Sequence, residues 1–138
     1  MAAFPSPEWF DRYREAINGS EAHQRAAAEW ESVVVYVIEA DRDAGLDETI
    51  YARLAFSHGQ CTAAEIVSGD EFPDATFVLR APYSVWKDVV RGRLRPVGGI
   101  TTGKIKLRGD IELLKQNRDA VDDLVAIAQS VPTEFRGE

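Results

Sequence analysis

The 138-residue sequence holds one cysteine, Cys61, so no intrachain disulfide and no multi-cysteine zinc site can form. It has two histidines, His23 and His58, too few for a zinc site without carboxylates placed beside them. No apolar run approaches the ~20 residues of a membrane span. Met1–Pro5 has neither a basic nor an apolar stretch of the kind that opens a signal peptide, which gives the expectation of a cytoplasmic protein. Basic residues are outnumbered, 16 Lys and Arg against 23 Asp and Glu, for a net charge of −7. An acidic domain is a poor general partner for nucleic acid or for an anionic membrane, leaving at most transient membrane contact. What remains is a 45% apolar chain long enough to bury its own core, with no repeat and no linker. One domain over 1–138 is expected.

Ser6-Pro7-Glu8 is a helix start, with a capping hydroxyl, a proline suited to the first turn and an acid that complements the dipole. Trp9, Phe10, Tyr13 and Ile17 then share one stripe. Ser20 opens a second helix carrying Ala22, Ala26, Ala27 and Trp30. The unbroken run Val33–Ile38 predicts a strand buried on both faces and central in its sheet. Ile50–Ser57 alternates, and the turn Ser57–Gln60 returns the chain as a third strand to about Val67. The segment Ser68–Asp74, with Asp70 inside it, is a loop. A fourth strand spans Ala75–Arg80, and a helix opened by Pro82 carries Val85, Trp86, Val89 and Val90 on its apolar side. Arg95–Gly103 is expected to be an irregular connection and Lys104–Arg108 a fifth strand. Asp110 caps a further helix with Ile111 and Leu114. The last helix shows Val121, Leu124, Val125 and Ala128, and Thr133–Glu138 is expected to fray. Strands that pair early and helices segregated toward the ends predict an α+β fold, a five-stranded, mostly antiparallel sheet with helices on one face.

Few residues carry chemistry at meaningful spacing. Gly98-x-x-x-x-Gly103-Lys104 imitates a phosphate loop, but Ile105 stands where Ser or Thr must bind magnesium, and the element order is reversed. Asp41, Asp43, Gly45 and Asp47 miss the glycine spacing of a calcium loop. His58 and Cys61 sit at a hairpin tip, a poor place for an oriented thiol–imidazole pair. Lys104, Lys106 and Arg108 with Arg91, Arg93 and Arg95 form a basic cluster. It is either a solvated strand edge or a site for an anionic headgroup or acidic partner.

Three segments nevertheless resemble one family. Gly103-Lys104-Ile105-Lys106-Leu107-Arg108-Gly109-Asp110 is similar to the lysine signature of type-2 sterol carrier proteins. Asp74-Ala75-Thr76-Phe77-Val78-Leu79 resembles that family's D-x-T strand, and Gly92-Arg93-Leu94-Arg95-Pro96 its G-x-L-x-P segment. Order and spacing match, over about Trp9 to Ala128, in the manner of a stand-alone prokaryotic-type member. The resemblance implies a sterol-carrier-like fold with an apolar tunnel for fatty acid, acyl-CoA, sterol or phospholipid, without catalysis, cofactor or metal. It also implies bulky aromatics before the lysine motif, where this chain has Val97-Gly98-Gly99-Ile100, so a roomier, more mobile mouth is expected. The peroxisomal C-terminal signal of some relatives is absent from Phe135–Glu138. Apolar phase then nominates the ligand-binding wall: Phe56, Phe77, Leu79, Trp86, Val89, Val90, Ile100, Leu114 and Leu124, around a pocket of ~300–1,000 Å³. Two rivals stand beside this reading. One is an enzyme, or a module of one, acting on an apolar thioester or acid, with Tyr83, Asp110 and Glu112 as candidate groups. The other is an interaction module whose tunnel is filled by its own side chains. Ligand identity and oligomeric state are not fixed by the sequence.

Overall fold

The run of β-branched residues forms the strand Glu31–Glu39 (β2) at the centre of a five-stranded sheet. The computed structural model describes residues 1–69 and 71–138; the loop position Asp70 lies outside the described residues. On one side of β2, Ile50–Ser57 (β3) and Gln60–Val67 (β4) follow as antiparallel neighbours. On the other, Phe77–Pro82 (β5) pairs with it in parallel, and the short Lys106–Arg108 (β6) closes that edge antiparallel to β5. The fold is thus α+β with a mostly antiparallel sheet, as expected.

Strand alternation assigns the faces. Val34, Tyr36 and Ile38 share one side with Leu54, Phe77 and Leu79, and this side meets the helices. Val35, Val37 and Val78 point the other way, under Phe72 from the loop before β5. Arg108 donates to the Phe72 carbonyl at 2.6 Å and ties that loop to the sheet edge.

The helix Pro7–Asn18 (α1) starts as its sequence dictates, with the Ser6 hydroxyl accepting from the Trp9 N–H at 3.1 Å. Glu21–Ala26 (α2) ends before Trp30, which lies outside the helix and just ahead of β2. Tyr83–Val90 (α3), Ile111–Gln116 (α5) and Arg118–Ser130 (α6) complete the layer. Two segments depart from expectation. Pro96–Thr101 is a helix (α4), started by Pro96 and closed by the Thr101 and Thr102 hydroxyls, which donate to the Gly98 carbonyl at 3.1 and 2.8 Å. Its fifth-strand neighbour is correspondingly shorter, because Ile105 is drawn out of the strand into the core.

The C-terminal residues are also ordered. Thr133–Phe135 (β7) pairs in parallel with Ala2–Phe4 (β1). The buried Tyr83 hydroxyl locks the pair from below, donating to the Phe4 carbonyl at 2.7 Å and accepting from the Arg136 N–H at 2.8 Å. The Glu138 carboxylate meets the Lys87 ammonium at 3.1 Å and also pairs with Arg91. Tyr83→Phe should therefore cost about 1–2 kcal/mol, since two backbone groups lose their partner at once. Chemical denaturation checks this, and an unchanged midpoint would mean the clasp adds nothing.

His23 is 1% exposed, and its Nδ1 finds no hydrogen-bond partner among the described residues. Burial lowers its pKa from 6.5, against the opposing pull of Asp123, whose carboxylate lies 3.9 Å away. The unfolded chain binds a proton that the folded chain refuses, so stability is full above pH 6.5 and falls as the pH drops below it. Asp74 and Glu138, held below their usual values by Arg53 and by Arg91 with Lys87, add acid sensitivity only below pH 4.5. Urea unfolding at pH 7.5 and 5.5 should show the loss in the wild type and a flatter response in His23→Gln. Equal responses would remove His23 as the cause.

Candidate ligand cavity

Between the helix-facing side of the sheet and the helical layer lies a cavity of about 80 Å³. From the sheet it is lined by Val34, Tyr36, Ile38 and Leu79, from α3 by Trp86, Val89 and Val90, and from α5 and α6 by Leu114, Val121, Leu124, Val125 and Ala128. Phe4, Trp9, Phe10, Tyr13, Trp30 and Pro96 complete the wall. No Lys, Arg, His, Asp or Glu among the described residues belongs to it. Such a wall offers dispersion and burial, with the Tyr13 and Tyr36 hydroxyls and the tryptophan N–H groups as the polar side-chain atoms of its residues.

Leu79, Trp86, Val89, Val90, Leu114 and Leu124 are thus brought together as the strand and helix phases predict. Phe56, Phe77 and Ile100 lie outside the lining. Phe56 faces inward but stacks on Trp30, with ring centroids 6.4 Å apart. Phe77 is fully buried beneath Gly109, and Ile100 is half-buried on α4. The unforeseen wall is aromatic. Phe4, Trp9, Phe10 and Tyr13 come from the N-terminal segment, with Trp9 at 4.7 to 5.0 Å from the rings of the other three. The helical stripe of Trp9, Phe10 and Tyr13 was visible in the sequence; its place over the sheet, with Phe4 of β1 beside it, was not. The cavity these rings help to line is much smaller than the several hundred cubic ångströms expected.

Polar groups around the cavity are held near neutrality. The Tyr13 hydroxyl donates to the Leu124 carbonyl at 3.0 Å, and Trp86 Nε1 to the Val37 carbonyl at 3.0 Å. Burial raises the pKa of Tyr13 and Tyr36 well above the ordinary phenol value, with nearby Cys61 adding to both. Cys61 is not an exposed hairpin residue: it is 1% exposed, its thiol donates to the Ala63 carbonyl at 3.3 Å, and burial pushes its pKa up to about 11. His58 is engaged elsewhere, 2.9 Å from the Ala28 carbonyl and 3.1 Å from Glu31. The three groups nominated for enzyme chemistry lie off the cavity. Tyr83 is in the terminal clasp, Asp110 caps α5 by accepting from the Glu112 N–H at 2.9 Å, and Glu112 reaches Lys115 at 3.5 Å. In the basic cluster, Arg91 pairs with Glu138, while no carboxylate of the described residues lies within 4.0 Å of Arg93, Arg95, Lys104 or Lys106. No cluster among the described residues could hold a metal ion, and none of their helices is long and apolar enough to cross a membrane.

The three segments singled out in the sequence meet one another in space. A side chain at Gly109, whose φ is +136°, would strike the Thr76 carbonyl and the Phe77 ring. Thr76 in turn accepts from the Val33 N–H at 3.0 Å through its hydroxyl. Gly99, Leu94 and Ile105 form a second junction. The signature residues therefore fasten β5, α4 and β6 together beside the cavity. A model of the SCP-2 sterol transfer family matches residues 10–122. The chain belongs to that family. Among solved structures, a crystal structure of sterol carrier protein 2 is similar at 31% identity, over 91% of this chain and 97% of that one, with a TM-score of 0.82. The solution structure of a conserved hypothetical protein from Thermus Thermophilus, described as possibly a sterol carrier protein, is also 31% identical. The match covers 94% of this chain and 90% of that one, with a TM-score of 0.83. Part of the sec-alkylsulfatase Pisa1 from Pseudomonas sp. is similar to this chain in fold. There the likeness is 15% identity over 86% of this chain and 15% of that one, at a TM-score of 0.55, and shows the fold alone. No curated protein matches the chain.

Proposed function

We propose that this member of the SCP-2 sterol transfer family binds and carries a single apolar ligand, a lipid or an acyl derivative, in the cavity between sheet and helices, without catalysing its turnover. The observation that carries the reading is the uncharged, largely aromatic and aliphatic wall. Each ligand methylene moved into it from water is worth about 0.8 kcal/mol. At about 80 Å³ the cavity is smaller than the ~300–1,000 Å³ of ordinary ligand sites, so a long chain must displace lining side chains as it enters. Part of the burial energy offsets that displacement, which places affinity below what methylene counting alone would give.

Two measurements test this. Native mass spectrometry of protein purified without detergent should reveal a co-purified apolar molecule. Titration with a fluorescent fatty acid should saturate near one site per chain. Absence of saturable binding for any long-chain lipid would leave the cavity as a packing defect and remove the carrier reading. Turnover of acyl-CoA by the isolated chain would instead favour the enzyme.

A further inference from the structure

Two hydrogen-bond donors on residues of the cavity wall have no acceptor among the described residues. Trp30 is 7% exposed, and its Nε1–H is shut away from solvent with no partner among the described residues. Tyr36, on the central strand, makes no side-chain hydrogen bond either, in contrast to Tyr13 and Trp86 on the same wall, whose donors are both taken by backbone carbonyls. Tyr36 is also half-buried, although Trp86 packs edge-on against its ring at 5.3 Å. Burial nevertheless raises its pKa far above the ordinary phenol value. Tyr36 is itself part of the cavity lining, which puts its ring and hydroxyl beside that space. The hydroxyl therefore stays protonated and available as a donor.

Leaving a buried donor such as Trp30 Nε1–H without an acceptor is unfavourable, and native proteins keep few of them. No carboxylate, amide or histidine of the described residues lines this cavity to relieve them, and none of their cations lines it to hold an anion. We propose that Trp30 Nε1–H and the Tyr36 hydroxyl are the polar recognition groups of the cavity. The ligand they select is a neutral oxygen-bearing apolar molecule (alcohol, ketone or ester), taken in preference to a carboxylate or a plain hydrocarbon. This rests on the carrier reading and adds the chemistry of the ligand to it. A neutral oxygen accepts from either donor at no charge-burial cost. An ionised carboxylate brought to the same place would be buried without a counter-ion.

The test uses four ten-carbon probes near neutral pH: decanol, a decanone, decanoate and decane. Tryptophan emission reports binding, because Trp9, Trp30 and Trp86 all line the cavity. Wild type should bind the alcohol and the ketone about tenfold more tightly than decane and than decanoate. Tyr36→Phe removes only the hydroxyl; it should erase much of the advantage of the oxygenated probes over decane. Trp30→Phe should act in the same direction, and if it folds poorly Tyr36→Phe carries the test alone. The proposal is overturned if wild type binds all four probes equally, or if Tyr36→Phe keeps the full preference for oxygenated probes. Failure of every probe to bind is a different result and overturns the carrier reading itself.

Discussion

Trp86→Ala should destabilise the protein by about 3–5 kcal/mol, a large share of the ~5–15 kcal/mol that holds a domain of this size. Trp86 is almost wholly buried on α3, edge-on to Tyr36 and hydrogen-bonded to the Val37 carbonyl of the central strand. It thus joins the helical layer to the middle of the sheet. Truncation removes the largest ring on that side and enlarges a cavity that already exists, so the walls cannot collapse to fill the gap. Trp86→Phe separates the contributions: it keeps a ring against Tyr36 and loses the N–H, and should cost nearer 1 kcal/mol. Urea unfolding of the three proteins measures both steps. A loss below about 1 kcal/mol for the alanine variant would mean that α3 does not pack through this residue. Ligand capacity should move the opposite way. Trp86→Ala enlarges the space at the ring's position, so longer lipids should enter it more readily even as the fold weakens.

How far the sequence foretold this arrangement depends on the range of the forces involved. Val33–Ile38 declares a central strand because every residue in it is β-branched or aromatic and favours a pleat with both faces apolar. Ser6-Pro7-Glu8 and Asp110 declare helix starts because capping is decided within three residues. The helix Pro96–Thr101 stayed hidden because its two glycines disfavour helix locally, and the packing that overrides them comes from Leu94 and Ile105. The pairing of Ala2–Phe4 with Thr133–Phe135 joins three-residue segments from opposite ends of the chain, too short for any periodicity to register. The cavity wall shows the same division. Strand phase correctly turns Phe77 and Leu79 to one face, but phase gives only the face, and only Leu79 reaches the cavity. The aromatic stripe of α1 was legible as a buried face; its position across the sheet is set by tertiary contacts such as the Tyr13 bond to Leu124.

The adjacent glycines Gly98 and Gly99 should respond to alanine with opposite signs. Both were expected to loosen a mobile mouth, but both lie within α4, and their surroundings differ. A methyl group at Gly98 meets nothing within 4 Å, so Gly98→Ala should stabilise by about 0.5–1 kcal/mol, the ordinary helical gain over glycine. A methyl at Gly99 would lie 2.6 Å from Ile105 Cδ1, 3.0 Å from its Cγ1 and 3.3 Å from Leu94 Cδ2. Ile105 is buried and has little room to yield, so Gly99→Ala should cost about 1–3 kcal/mol through overpacking. The clash names its own remedy. Ile105→Val deletes the Cδ1 atom and alone costs about 0.5–1.5 kcal/mol. Combined with Gly99→Ala it should cost less than the sum of the two, with a favourable coupling of about 0.5 kcal/mol or more. Thermal and urea unfolding of the four variants decide the matter. Stopped-flow lipid exchange then tests the mobile mouth separately: if α4 is packing and not a gate, Gly98→Ala should stiffen the helix and leave on- and off-rates as they were. Slowed exchange in Gly98→Ala, or strict additivity of Gly99→Ala with Ile105→Val, would return the segment to the role of a gate.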